Sequence, residues 1–154
     1  MSHVATGTCR IHDLDALEIA AERLGFELRR GQTEYAWFGR FLNDSAVGRD
    51  AIKQGAKAED FGKCDHALRL KNHKSGDYEI GIKPALDGNG LRLEYDQWGA
   101  GHKLAEMVGG TDATKLQDEY NLAVAARRLA RQGYKVTRRV NQETGEQQVV
   151  ALKA

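Results

Sequence analysis

Residues 13–28 read DLDALEIAAERLGFEL and hold a helix, its end and the start of a strand in one stretch. Asp13 is a favourable N-cap, and apolar residues then recur at helical spacing as far as Leu24. Gly25 occupies the position where helices commonly end, and the residues after it alternate between apolar and charged, as is typical of a strand. We therefore predict a helix over residues 13–24 that is followed directly by a strand.

A second stretch of the same kind lies in the C-terminal third of the chain. Apolar residues at helical spacing predict a helix over residues 114–132, which ends before Gly133. Thr114 and Gln117 have the spacing of a capping box at the start of this helix. Alternating residues then predict a terminal hairpin over residues 134–152.

The remaining elements are short strands separated by glycine-rich turns. Strands are predicted at residues 4–11, 35–38, 78–83 and 91–95. A long irregular loop is predicted at about 40–63. The last two strands flank Asp-Gly and Asn-Gly steps and form a hairpin. The order β-α-β-β-(loop)-β-β-α-β-β predicts a single α+β domain over the whole chain. In such a fold two main helices pack on one face of an antiparallel or mixed sheet.

The composition limits the classes of function. The 154 residues include 23 Lys and Arg and 22 Asp and Glu, a net charge of +1, which excludes a protein whose whole surface binds nucleic acid. No apolar run is long enough to cross a membrane, and the N-terminus lacks the pattern of a secretory signal. Two cysteines are too few for a disulfide framework. We expect a soluble, cytoplasmic protein with no membrane partner and no cofactor.

The segment Gly62-Lys63-Cys64-Asp65-His66 combines a thiol, a carboxylate, an imidazole and a lysine. A thiol beside Lys and His can be an activated nucleophile, so an enzyme that uses Cys64 and His66 is one hypothesis. With Cys9 and His12 the same two residues would offer four ligands to zinc, although their spacing is not a standard one for zinc sites. We favour a structural role, in which Cys64 is buried while Asp65 and His66 form hydrogen bonds with loop backbone.

Basic residues cluster in the predicted C-terminal helix and hairpin. Residues 115–154 contain eight basic and four acidic residues, a balance of +4, whereas the preceding residues balance to −3. This face is a candidate for binding anions or nucleic acid, although arginines are also common near the C-terminus of a solvated helix. Arg138 shares its strand face with apolar residues and therefore needs a carboxylate partner or a place near a sheet edge. The candidate anion-binding residues are Arg127, Arg128, Arg131 and Arg139.

Two tryptophans stand at candidate binding surfaces. Trp37 belongs to an aromatic cluster at residues 35–41, which we expect in the core in preference to an exposed stacking platform. Trp98 precedes Gly99-Ala100-Gly101, a predicted strand-to-helix turn that can present backbone N–H groups to an anion. His102 follows as a second candidate base for an enzyme. The turn lacks the third glycine of a dinucleotide fingerprint, so we favour a flexible connection there, with Trp98 packed on the core.

Short motifs occur in order along nearly the whole chain, at Met1–Val4, Asp13–Leu17, Tyr35–Arg40, Gly62–Ala67, Tyr78–Gly81, Tyr95–Gly99 and Gln132–Val136. Together they resemble the hypothetical chloroplast reading frame thirty-five family, also called the domain of unknown function numbered twelve fifty-seven, in its phage and bacterial form. The resemblance implies one compact intracellular domain without an assigned activity or agreed catalytic residues. Some relatives stand beside AAA-type ATPases, which implies an adaptor role with such an ATPase as a candidate partner.

The leading interpretation is a non-enzymatic binding or adaptor domain that contacts a protein partner or a small anionic or nucleotide ligand. A cysteine- or metal-dependent enzyme is the first alternative, and nucleic-acid binding through residues 127–139 is the second. The residues expected at the binding surface are Trp37, Lys63, Asp65, His66, Trp98 and Arg138.

Overall fold

The computed structural model describes residues 4–6, 10–39, 55, 57–110 and 112–153, with the side chains of 4–6 and 58 left out. Most of the predicted loop at 40–63, and also Cys9, therefore lie outside the described residues. A short 3₁₀ turn spans Ala58–Asp60. In chain order the helices and strands are β1 (Val4–Thr6), α1 (Leu14–Arg23), β2 (Phe26–Arg30), β3 (His66–Leu70), β4 (Ile80–Pro84), β5 (Leu91–Asp96), α2 (Gly101–Val108), α3 (Thr114–Arg131), β6 (Tyr134–Val140) and β7 (Gln147–Lys153).

The described strands form a five-stranded sheet in the order β1-β5-β4-β3-β2 and a separate two-stranded sheet of β6 and β7. Every strand pair is antiparallel, with Phe26 opposite Leu70 and Ile82 opposite Leu93. The predicted α+β class is confirmed, and the sheet is antiparallel. None of the described helices is long and apolar enough to cross a membrane.

All three described helices contribute to a core on one side of the five-stranded sheet, which we call the helix face. Side chains alternate between the two faces of a strand, so Leu68, Ile82 and Leu93 point to this face together. They pack in one cluster with Leu17 of α1, with α2 and with Leu116 of α3. Members of the cluster with no exposed surface include Ala20, Phe26, Leu68, Ile80, Ile82, Leu93, Leu104 and Leu116.

The two main helices lie where the sequence predicts them, but only one has the predicted cap. At α1, the carboxylate of Asp13 accepts hydrogen bonds from the backbone N–H groups of Asp15 and Ala16, and Gly25 follows the helix with φ +95°. The predicted capping box of α3 is wrong. Ala113 is the N-cap, and the Thr114 hydroxyl donates instead to the carbonyl of Gly109, at the end of α2. Because the connection between α2 and α3 is short, the Thr114 side chain reaches back to the end of α2.

Two strand predictions need correction. Residues 35–38 form no strand. The backbone N–H of Ala36 donates to a side chain, that of Glu79, and the segment has a single β-bridge, between Glu34 and Lys63. Residues 66–70, for which no strand was predicted, form the central strand β3. The predicted strand at 4–11 is described as β1 followed by one bridge between Ile11 and Leu91. The two predicted hairpins are confirmed.

Candidate functional site

The second face of the five-stranded sheet, which we call the polar face, carries charged side chains that are nevertheless buried. Alternation along β4 and β5 places Lys83, Arg92, Glu94 and Asp96 on this face, opposite the core. With Glu79, which directly precedes β4, these are the buried charged residues of the described chain. Charged groups stay buried only when paired or hydrogen-bonded, so this face must be covered by polar partners.

Two chain segments, residues 32–38 and 57–65, cover the polar face. The carboxylate of Glu79 accepts hydrogen bonds from the backbone N–H of Ala36 at 2.9 Å and from the Gln32 side chain at 3.1 Å. The two segments also bond to each other, since the Tyr35 N–H donates to the carbonyl of Gly62 at 2.9 Å. The ring of Tyr35 lies against Gly81, where a Cβ atom would overlap it.

A buried cluster of charges lies beneath this cover, centred on Glu94, which has no exposed surface. Its carboxylate receives the ammonium of Lys83 at 2.9 Å, the guanidinium of Arg92 at 3.3 Å and the hydroxyl of Tyr35 at 2.9 Å. Burial, and then the negative charge of Glu94, raise the pKa of Tyr35 far above its ordinary value. Tyr35 therefore stays protonated and acts as a hydrogen-bond donor at physiological pH.

A pocket of about 270 Å³ opens at the end of this face where β4 ends and β5 begins. Lys83 is fixed at its inner wall, because its ammonium also donates to the Asp60 carbonyl at 2.9 Å. Lys63, by contrast, is 65% exposed and reaches Asp60 only at 3.4 Å. Basic side chains outnumber acidic ones in the lining. The pocket is lined by Gly55, Lys57, Asp60, Lys63, Cys64, Asp65, Lys83, Pro84, Leu86 and Arg92.

Cys64 and His66 do not meet as a catalytic pair. A bend at Asp65 interrupts the strand alternation, so Cys64 packs with Tyr35 on the polar side, whereas His66 shares its face with Leu68. The Cys64 thiol donates to the Gln32 carbonyl at 3.2 Å, and the His66 Nδ1 accepts from the Gly31 N–H at 3.0 Å. Burial, and then the charge of Glu79, raise the pKa of Cys64 to about 11. These contacts favour the structural role over a thiolate nucleophile.

The zinc hypothesis finds no support in the described chain. No three His, Cys, Asp or Glu side chains come together there in a way that would hold a metal ion. Cys9 lies outside the described residues, and the backbone N–H of His12 donates to the Tyr120 hydroxyl, at the junction of α1 and α3.

The two tryptophans differ in how far they are exposed to solvent. Trp37 is half-buried, packs edge-on against Phe61 with ring centroids 6.2 Å apart, and covers Gly62. Trp98 is 40% exposed, and its backbone N–H donates to the buried carboxylate of Asp96. The other carboxylate oxygen of Asp96 accepts from the N–H of Phe38, so one buried residue holds the backbone of two exposed aromatics.

The turn after Trp98 is filled by the chain itself. A Cβ atom at Gly101 would overlap the backbone carbonyl of Asp96, and the Gly101 N–H donates to the Trp98 carbonyl. The next N–H, that of His102, donates to the Gly99 carbonyl. Because two of its N–H groups are already bonded within the chain, the turn has the character of a connection and not of an anion site. The expected packing of Trp98 on the core is wrong, because this residue is 40% exposed. The His102 side chain is exposed.

The candidate basic face is divided by internal ion pairs. Arg127 bonds to Asp13 at 3.1 Å and to Asp15 at 3.2 Å. Arg138 bonds to Glu119 at 2.7 Å, which confirms that it has a carboxylate partner. Arg139 donates to Gln148 at 3.2 Å. Arg128 and Arg131 are exposed and form no ion pair within the described part of the chain. Arg127 and Arg138 are therefore already paired with carboxylates of the chain itself, which weakens the case for a basic face that binds nucleic acid.

Sequence reasoning missed the buried charges of β4 and β5. In isolation, a strand that alternates Ile with Lys or Leu with Arg and Glu has one apolar face, and its other face is expected in water. The pairing of the two strands held a usable signal, because it sets Lys83 opposite Arg92, two like charges that need a shared counter-ion. Glu94, two residues beyond Arg92, is that counter-ion.

Comparisons with protein-family models, with curated proteins and with solved structures find no match for this chain. The family resemblance seen in the sequence therefore stays a prediction.

Proposed function

We propose that the protein is a non-enzymatic binding domain whose pocket at the end of the polar face takes a small anionic group, a phosphate or a carboxylate. The observation that carries this proposal is the pocket lining, in which Lys57, Lys63 and Lys83 stand around one opening. Ammonium groups form charge-assisted hydrogen bonds with such anions, and these are the strong hydrogen bonds of proteins.

The lysines supply different parts of a binding site. Lys83 is buried and is held by Glu94 and by the Asp60 carbonyl, so it is positioned before any ligand arrives. Lys57 and Lys63 are exposed and can close on a bound anion from outside. A fixed inner group lowers the entropy cost of binding, while mobile outer groups admit the ligand.

The size of the pocket limits the ligand. Small-molecule sites usually enclose about 300–1,000 Å³. A volume of about 270 Å³ is at the lower end and suits one phosphate or carboxylate group with a small attachment. A whole nucleotide would extend beyond it. The AAA-type ATPase partner implied by the family resemblance is a separate proposal, and the pocket does not bear on it.

The test is a titration of the full chain with inorganic phosphate and with pyrophosphate, followed by amide chemical shifts in NMR spectra. We expect saturable shifts at Lys63, Asp65 and Lys83. Lys63→Met should weaken binding about tenfold, because a hydrogen bond to a charged group contributes about 1.5 kcal/mol. Lys63 is exposed, so this change leaves the fold intact.

The matched control is Lys74→Met. Lys74 is an exposed lysine in the β3–β4 turn, at the opposite end of these strands from the pocket. Its replacement removes the same charge from the molecule and should leave the affinity unchanged. Equal weakening by both variants would mean unspecific attraction of anions, and the absence of saturable shifts at the pocket would remove the proposal.

A further inference from the structure

The C-terminal hairpin stands apart from the main sheet of the described chain. Among the described strands, β6 and β7 pair only with each other, and the hairpin packs against α3 without joining the five-stranded sheet. Several of its apolar side chains remain exposed, namely Tyr134 at 40%, Val140 at 42% and Leu152 at 57%. An isolated two-stranded hairpin is marginally stable in water, and it is stabilised by packing against a helix, as on α3 here, or by further strands.

The two outer edges of this hairpin differ in charge. Strand β6 contains Lys135, Arg138 and Arg139, and charged residues of this kind protect an edge against pairing with another chain. Strand β7 has neither a charge nor a proline from Gln147 to Leu152. Within the described part of the chain, no strand pairs with the outer edge of β7. An unprotected edge of this composition is a template for strand addition.

We propose that β7 pairs with β7 of a second copy of this chain, in antiparallel orientation about a two-fold axis at Val150. Each copy then contributes two strands to a four-stranded sheet in the order β6-β7-β7-β6. This register uses the full seven residues of β7, since Val150 is at its centre. The contact is isologous, the commonest form of association between identical chains.

The charges of the strand favour a second copy over an acidic partner. In the proposed register the single charged residue of β7, Lys153, faces Gln147, so no like charges stand directly opposite. Strand β7 also offers no cation between Gln147 and Leu152 that would select an acidic strand. The basic residues of the hairpin lie on β6, at the outer edges of the four-stranded sheet.

The test is sedimentation velocity of the full chain over a concentration series. We expect the wild-type protein to change from monomer to dimer as its concentration rises. Val150→Lys sets two lysines opposite each other at the axis and should weaken the dimer severalfold or more. Val140→Lys makes the same substitution on β6, away from the proposed contact, and should leave the dimer unchanged.

Circular dichroism of each variant reports whether the chain still folds. Leu152→Lys serves as a second variant, because Leu152 is 57% exposed and its replacement hardly affects the isolated fold. It should also weaken the dimer, because the proposed register places Leu152 opposite Gln148 and diagonal to Val150 of the second copy, where a lysine introduces a charge into the contact. A wild-type protein that stays monomeric at every concentration, or an equal loss with Val140→Lys, would overturn the proposal.

Discussion

At the scale of single residues, the environment of Cys64 bears on whether the protein could use this cysteine as a catalytic nucleophile. The thiol belongs to one of the two segments that cover the polar face and donates a hydrogen bond to the backbone carbonyl of Gln32 in the other. Its pKa, raised to about 11, keeps it in the unreactive thiol form at neutral pH. A nucleophilic cysteine needs the opposite, a lowered pKa beside a cation or a general base.

Labelling kinetics test this reading of Cys64. In a Cys9→Ser variant at pH 8, a thiol reagent should label Cys64 about 100-fold more slowly in the folded than in the unfolded protein, because a pKa raised by about two units leaves about 100-fold less thiolate. Folding stability should also fall as the pH rises from about 9 to about 11. In this range the unfolded state loses the thiol proton while the folded state still keeps it.

The same labelling experiment can contradict the structural role of Cys64. Labelling of folded protein at the rate of unfolded protein would show an accessible thiolate and would favour the enzyme hypothesis over the structural role of Cys64. A Cys64→Ser variant in the same background shows the labelling that comes from elsewhere in the chain.

Single residues also mark the limit of the sequence analysis. The buried place of Cys64 and the carboxylate partner of Arg138 agree with the sequence-based expectations. The burial of Lys83 and Glu94 was not foreseen, because a charged residue on an alternating strand is ordinarily solvated. Their cover comes from residues 32–38 and 57–65, and no local pattern announces that these segments fold back over the sheet.

At the scale of elements, Tyr120 joins the two main helices. It is a buried residue of α3, and its hydroxyl accepts hydrogen bonds from the backbone N–H groups of His12 at 2.8 Å and of Asp13 at 3.0 Å. These groups lie at the N-terminal end of α1, where N–H groups have no partner inside the helix. The phenol therefore fixes the start of α1 against α3.

Tyr120→Phe should lower the free energy of unfolding by about 1–3 kcal/mol, because two N–H groups in a partly buried place lose their acceptor. Urea unfolding followed by circular dichroism measures the loss. Tyr134→Phe is the matched control, since Tyr134 is 40% exposed and should change stability by no more than about 0.5 kcal/mol. Equal effects of the two changes would contradict the role given to Tyr120.

Elements with strong local signals were predicted well. The helices α1 and α3 and the two hairpins follow from periodicity and turn residues, which act within a few positions along the chain. Strand β3 was missed because it is short and because one of its two paired neighbours, β2, is distant in sequence. Residues 35–38 have strand-like composition, but Tyr35 packs its ring on Gly81 and the segment bonds to side chains.

At the scale of the whole molecule, one carboxylate connects the hairpin to the rest of the fold. Glu119 of α3 receives Arg138 of β6 at 2.7 Å and Arg23 of α1 at 3.0 Å. Its side chain is 14% exposed, so both ion pairs are partly shielded from water. We expect the docking of the hairpin, and with it the proposed dimer, to depend on this junction in addition to the packing of the hairpin against α3.

Glu119→Gln should loosen the hairpin while the five-stranded sheet stays folded. Hydrogen exchange of the β6 and β7 amides should accelerate at least about tenfold, since a partly buried charge pair loses about 1.5 kcal/mol or more. Amides of β4 should exchange at their wild-type rates. Glu143→Gln in the exposed hairpin turn is the control, and it should leave both sets of rates unchanged.

Faster hydrogen exchange of the β4 amides together with those of the hairpin would contradict this role of Glu119. It would mean that the hairpin and the sheet open as a single cooperative unit. Unchanged rates in β6 and β7 would show that apolar packing on α3, and not the ion pair, holds the hairpin.

The two aromatic rings that lie on glycines constrain how this sequence can vary. The ring of Tyr35 occupies the space of a side chain at Gly81, and the ring of Trp37 does the same at Gly62. A larger residue at Gly81 is compatible with the fold only if Tyr35 becomes smaller at the same time. Gly62 has in addition φ +92°, a backbone conformation that favours glycine whatever side chain lies beside it. In related chains positions 35 and 81 should therefore covary, while position 62 should stay glycine even where residue 37 is small, and this pattern would identify the folded cover of the polar face from an alignment alone.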